Sequence, residues 1–224
     1  MNRKKTGIFG GTFNPIHCGH LRAAEEARQA LGLEKVLFIP SGNPPLKVND
    51  LAPSEDRYEM VRLAIETNKL FHISDTEIRR TGKSYTLETI LSLREIYRDD
   101  ELYLILGIDS FLEMPSWYHP ERLMDLTDFV VISRPGYDFK GLNLQLKAVE
   151  GVLHQLDCRK MQIYRSGPGN QSKIILLNVS PLDISATGIR RLVREGKSIK
   201  YLLPEVVESY IISNKLYLEG SDRF

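Results

Sequence analysis

Short apolar runs that recur along the chain constrain its fold most. TGIFG (6–10), KVLFIP (35–40), FHISDTEI (71–78), LYLILG (102–107), FVVIS (129–133) and KIILLNV (173–179) each have the length of a strand, and several are almost continuously apolar. A strand with one face in water alternates apolar and polar residues. A strand without that alternation is buried on both faces, as in a parallel sheet covered by helices. Stretches with helical periodicity lie between the runs. Residues 20–31 bring Leu21, Ala24, Ala27 and Leu31 to one face. Residues 54–67 follow a Pro-Ser start and carry Met60, Val61, Ala64 and Ile65, and residues 86–97 offer Leu87, Ile90, Leu91 and Leu93. The alternation predicts an α/β, Rossmann-like fold with a mostly parallel sheet flanked by helices. Its crossovers are right-handed, so strand ends and helix starts gather along one edge.

The C-terminal third reads differently. A helix over 142–156, a short strand over 161–165 and a Gly-Pro-Gly-Asn loop are expected between 135 and 170. ISATGIRRLVREG (184–196) and PEVVESYIISNKLY (204–217) read as two successive helices with no strand between them. Residues 184–224 are therefore expected as a helical appendage of a single domain spanning 1–224.

Charge and length exclude several classes. A chain of 224 residues can close one substantial core. Its 30 basic and 29 acidic residues leave a formal net charge of +1, which is no footprint for long nucleic acid. No run approaches the ~18 apolar residues of a membrane span, and GIF (7–9) is too short for the apolar region of a signal peptide. Cys18 and Cys158 make no disulfide framework. The expectation is a cytoplasmic protein with neither nucleic acid nor membrane as partner; a homo-oligomer is compatible with the sequence.

The first strand ends in GGTFNPIHCGH (10–20). Gly10 and Gly11 allow close approach of backbone to ligand, and the helix that follows adds its positive N-terminal end, a ready site for phosphate. His17 and His20 are three apart, so on a first helical turn they lie on neighbouring positions and can donate to one anion. A glycine pair at a turn is also compatible with a turn alone, and His17, Cys18 and His20 include soft metal ligands. Their spacing, and that of His154 and Cys158, is not that of a zinc site; no protein metal site is expected. A GxGxxG fingerprint is absent. TGKS (81–84) lacks the glycine a P-loop needs, since position 77 is Glu77. In ISATGIRR, Ser185 reads as an N-cap with Thr187 and Arg190 in the first turn. Either it is a capped helix with a solvated arginine, or a second anion site in which Arg190 donates as a fork. Trp117, the only tryptophan, lies on a Met-Pro-Ser loop; it either packs beneath that loop or stacks on a flat ring. Asp109 either meets ribose hydroxyls or a magnesium-bound water at the strand end, or caps the next helix. Lys47, on a Pro-rich loop, could reach phosphate.

GTFNPIHCGH resembles the (T/S)xxHxGH motif of the nucleotidyltransferase superfamily, and ISATGIR (184–190) its IS(S/A)TxIR motif. NPPLK (43–47), SYT (84–86), GIDSFLEMPSWY (107–118), SRPG (133–136) and LLPEVVESYIISNKLY (202–217) extend the resemblance over nearly the whole chain to bacterial nicotinate-nucleotide adenylyltransferases. The resemblance implies transfer of adenylate from ATP to nicotinate mononucleotide, giving deamido-NAD, with Mg²⁺ on the triphosphate. It implies catalytic roles for His17, His20 and Arg190. ATP would be held by Gly10, Gly11, Thr12, Phe13, Gly107, Asp109, Ser133, Arg134, Ser185 and Thr187. The acceptor would be held by Lys47, Ser84, Tyr85, Thr86, Trp117 and Tyr118, with backbone amides near Tyr85 and Thr86 meeting the ring carboxylate. The chain has Leu46 where such proteins often have a histidine before the basic residue. Competing readings are an adenylyltransferase for nicotinamide mononucleotide or phosphopantetheine, a nucleotide-binding regulator without turnover, and an aminoacyl-tRNA synthetase fragment. The last lacks a KMSKS-like lysine loop here.

Overall fold

The computed structural model describes residues 3–45, 50–133 and 172–218, and the backbone of 161–165. Lys47, Arg134, the helix expected over 142–156, and His154 and Cys158 lie outside the described residues. Seven strands form one sheet: β1 (Lys5–Gly11), β2 (Lys35–Pro40), β3 (Phe71–Ile73), β4 (Glu101–Gly107), β5 (Asp128–Ile132), β6 (Met161–Arg165) and β7 (Lys173–Leu177), in the order β3-β2-β1-β4-β5-β7-β6. All neighbours pair parallel except β6, which closes the β7 edge antiparallel.

The apolar runs are continuous because both faces of the sheet are covered. Successive residues of each central strand go to opposite cores. Phe9, Phe38, Ile105, Val130 and Ile175 enter one cluster, and Ile8, Leu37, Leu104, Phe129 and Ile174 the other. Helices α1 (Cys18–Leu31) and α2 (Ser54–Ile65) cover the first face through Ala23, Ala24, Ala27, Met60, Val61 and Ile65. Helix α3 (Thr86–Ile96) covers the second through Leu87, Ile90 and Leu93, while Leu91 is exposed. Two short helices, α4 (Ile108–Glu113) and α5 (Pro120–Met124), complete that layer, separated by a single 3₁₀ turn at Met114–Ser116. The last two helices, α6 (Ala186–Arg194) and α7 (Glu205–Ser213), carry Ile189, Val207 and Ile211 into the same cluster as α1 and α2.

Strand β3 stops after three residues rather than running to 78. The Ser74 and Thr76 hydroxyls bond each other at 2.7 Å, and the Ser74 hydroxyl accepts from the Thr76 N–H at 3.3 Å. Local side-chain bonds of this kind compete with a strand ladder.

Strand order places the site. The chain leaves β1 for β2 and β3 on one side and then returns to β4 on the other. A crevice opens at such a reversal, outside the carboxyl ends of the strands.

Candidate active site

The end of β1 delivers the chain to the start of α1. His17 is the N-cap of α1, with extended backbone, and its N–H donates to His20 Nδ1 at 3.3 Å. The helix starts at Cys18, two residues earlier than hydrophobic periodicity alone indicates, because of this cap. The two imidazoles stack, their centroids 3.7 Å apart and their planes within 25°. Gly19 makes the arrangement possible: a Cβ there would lie 3.0 Å from His17 Nδ1. The Cys18 N–H donates to the Leu202 carbonyl at 3.0 Å, which ties the start of α1 to the C-terminal segment.

A second helix start is fastened to the same place. Ser185 caps α6, accepting from the Gly188 N–H at 3.1 Å. Arg190, buried in the first turns, donates from Nη1 to the Asn14 carbonyl at 2.8 Å and from Nη2 to Thr187 Oγ1 at 3.4 Å. Its Nε–H has no hydrogen-bond partner among the described residues, so the fork keeps donor capacity. Asn14 is itself buried and three-way bonded. Its Nδ2 donates to the Asp50 carbonyl at 2.9 Å, and its Oδ1 accepts from the Ala52 N–H at 3.1 Å and the Tyr217 hydroxyl at 2.9 Å.

Both helix starts face one cavity of about 760 Å³ along the carboxyl edge of the sheet. Gly10, Gly11, Thr12, Phe13, His17 and His20 line its middle, beside Arg190. Gly107, Ser133, Ser185 and Thr187 line the side toward β5 and β7; Ser84, Tyr85, Thr86, Trp117 and Tyr118 line the side toward β2 and β3. Of the described residues expected in the site, Asp109 alone is not on the wall; it sits in the first turn of α4, and the neighbouring Ser110 lines the cavity instead. Tyr85 caps α3 and stacks on Tyr118 with ring centroids 4.7 Å apart. Trp117 is half-buried against the core beneath it while still lining the cavity. Ser84 is buried, and its hydroxyl accepts from the Asn43 N–H at 3.0 Å.

The cytidylyltransferase-like family model matches residues 8–192, from within β1 to within α6. The "Probable nicotinate-nucleotide adenylyltransferase" of Desulfitobacterium hafniense (strain Y51) is 45% identical over 215 residues, 96% of each chain. That of Geobacter sulfurreducens is 45% identical over 95% of this chain and 98% of its own. The chain belongs to the nicotinate-nucleotide adenylyltransferase family. In fold it resembles the Plasmodium falciparum nicotinic acid mononucleotide adenylyltransferase complexed with NaAD, at a TM-score of 0.74 and 19% identity over 96% of this chain and 97% of that one.

For a member of this adenylyltransferase family, two charged residues of the site are unexpected from sequence. Arg57 lies on α2, where the pattern suggests a solvated charge, yet it is fully buried behind the first loop. It donates to the carbonyls of Ala52 at 3.0 Å, Thr12 at 2.9 Å and Gly42 at 3.1 Å. The other is Glu77, a buried carboxylate on the cavity wall. No group of three His, Cys, Asp or Glu side chains converges as a metal site among the described residues.

Burial pushes the Glu77 carboxyl above its ordinary range, opposed by the hydroxyls of Thr89, Ser84 and Ser41 and by the charge of Arg80; Arg57 also feels this carboxylate. A folded pKa raised above the unfolded value of about 4.3 stabilises the fold at acidic pH, and that contribution is lost as pH rises through the folded pKa. Glu77→Gln removes the group. The melting temperature of the variant relative to wild type should therefore rise between about pH 4 and neutrality. Thermal unfolding across that pH range checks this, and a flat or falling difference contradicts it.

Proposed function

We propose that this chain transfers the adenylyl group of MgATP to nicotinate mononucleotide, giving deamido-NAD and pyrophosphate. The observation that carries the reading is the bond from Arg190 to the Asn14 carbonyl, between residues 176 apart in sequence. It joins the two helix starts into one anion-binding cavity large enough for two nucleotides. Membership of the adenylyltransferase family supports the reaction class. The α3 start at the other side of the cavity supports the acid as acceptor, because the first N–H groups of a helix lack intrahelical partners and favour a carboxylate.

The acceptor phosphate attacks the α-phosphorus of ATP in line. A P–O bond forms to the acceptor, the bond to the bridging oxygen breaks, and its electron pair leaves with pyrophosphate. A phosphate monoester has a second pKa of about 6 and is already largely dianionic at neutral pH, so no general base is required. The barrier lies in bringing two polyanions together and in charge on the transferring group, which calls for fixed donors. His17 and His20 supply imidazole donors at that phosphorus. Backbone from Gly10 to Phe13, with Ser185, Thr187 and Arg190, holds the triphosphate, and Mg²⁺ arrives with it as part of the donor substrate. Gly107 and Ser133 face the adenosine, with Asp109 behind them and Arg134 following Ser133 in the chain. Trp117 and Tyr118 hold the acceptor ring; amides at Tyr85 and Thr86 take its carboxylate, and Lys47 is assigned to its phosphate. In this reading the chain is one cytoplasmic nucleotidyltransferase domain, supported by the core that α6 and α7 share with α1 and α2.

The reading is tested by kcat/KM for nicotinate and nicotinamide mononucleotides at fixed MgATP. A carboxamide turns an NH₂ toward N–H donors and leaves a buried polar group unpaired, at a cost of about 1–3 kcal/mol. The acid should lead by roughly ten- to hundredfold; equal values, or a preference for the amide, would overturn the acid-specific reading. His20→Ala should lose about 10²–10³ in kcat while its circular dichroism and melting temperature stay near wild type. Turnover close to wild type would remove His20 from the mechanism.

A further inference from the structure

At the β2–β3 side of the cavity three segments meet around one buried carboxylate. Glu77 follows β3, is only 7% exposed and lines the cavity. Its Oε1 accepts the Thr89 hydroxyl of α3 at 2.7 Å. Ser84, just before α3, and Ser41, just after β2, line the same cavity as Glu77, and their hydroxyls oppose the rise in pKa that burial imposes on its carboxyl. Arg80 donates to Thr89 Oγ1 at 3.1 Å, so the Thr89 hydroxyl accepts from the cation and donates to the acid. The backbone is equally committed. The Glu77 carbonyl lies where a Cβ at Gly42 would come within 2.1 Å of it, so only glycine fits there. One residue on, the Asn43 N–H donates to Ser84 Oγ at 3.0 Å and the Ser84 N–H returns to the Asn43 carbonyl at 2.9 Å. Thr89, Ser84 and Ser41 line the cavity here, around the residues assigned to the acceptor.

We propose that Glu77 is the positioning residue for acceptor recognition: by accepting the Thr89 hydroxyl of α3, while its own backbone packs on Gly42 beside the Asn43–Ser84 pair, it fixes the segment carrying Tyr85 and Thr86 so that its amides face the acceptor. The proposal rests on the functional reading above and deepens it. An ionised carboxylate is acceptor-only, with about four lone-pair sites, so it takes the Thr89 hydroxyl as a charge-assisted hydrogen bond. Glutamine is nearly the same size, but it either accepts the Thr89 hydroxyl through a neutral oxygen or confronts it with an NH₂ donor, so the charge assistance is lost. A negative charge near an anionic acceptor is electrostatically unfavourable. Its presence on this wall is accounted for by the loops it holds rather than by contact with the ligand.

The test is steady-state kinetics of the full-length chain, varying each substrate with the other saturating. Glu77→Gln should raise KM for nicotinate mononucleotide about tenfold or more, the worth of one charge-assisted hydrogen bond. KM for ATP should stay within about twofold, and the melting temperature at neutral pH should not fall. Thr89→Val, which removes the partner hydroxyl at constant shape, should shift the same constant in the same direction. An acceptor KM that is unchanged or lowered, or a parallel rise of both KM values, overturns the proposal. If Glu77→Gln does not fold, Thr89→Val decides by the same two outcomes. Failure of the wild-type chain to turn over nicotinate mononucleotide would instead refute the functional reading itself, before any variant is compared.

Discussion

The guanidinium of Arg190 against the carbonyl of Asn14 is the contact on which the rest of the site depends. Strand β1 and α1 deliver the two histidines, but in the proposed mechanism these make only half of an anion site. The other half starts from a helix that begins 168 residues later, at Ala186 against Cys18, and the fold must hold the two together to within a hydrogen bond. Asn14 does this from the other side, taking the Tyr217 hydroxyl and the Ala52 N–H on its side-chain oxygen. The surroundings show the cost. Burial pushes the Tyr217 hydroxyl well above its ordinary range, although Arg190 and Arg57 oppose that shift. Buried donors and acceptors of this kind are stable only when each is answered, and a network so satisfied rigidifies its surroundings.

A second consequence is a division of labour along the sheet edge. In the proposed mechanism the loops after β5 and β7 face one nucleotide and those after β2 and β3 the other, and β1 stands between them where the strand order reverses. Arg57 crosses this division beneath the surface, bonding the Thr12 carbonyl in the central loop and the Gly42 carbonyl in the acceptor-side turn. Because its hydrogen-bond acceptors are carbonyls, it stays a cation behind the loop that follows β1, the loop assigned to phosphate in the proposed mechanism. That suits a reaction in which two polyanions must approach one another.

What could be read from the sequence follows from what each residue must do. The central strands were legible because burial on both faces removes the polar alternation that would blur them. The paired histidines and Arg190 were legible because glycines, imidazoles and a capped arginine turn occur at helix starts, where the backbone already favours anions. Arg57 and Glu77 were not legible. A charged residue among apolar ones on a helix, or after a strand, normally faces water, and nothing local signals that carbonyls and hydroxyls from distant segments will enclose it. Ser84 lines the cavity, and its hydroxyl also accepts from the Asn43 N–H, a tie to the turn after β2 that sequence spacing does not reveal. The short helix α5 escaped notice because five residues are too few for periodicity to register.

The central claim is that donors and geometry, and no covalent adenylyl-enzyme, carry the transfer. The most direct measurement is the stereochemical course at phosphorus, with ATP bearing sulfur at the α-phosphorus in one known configuration and nicotinate mononucleotide as acceptor. A single in-line displacement inverts that configuration in the dinucleotide product, and inversion is the predicted result. Retention would require two successive displacements through an adenylylated side chain, and would contradict the account.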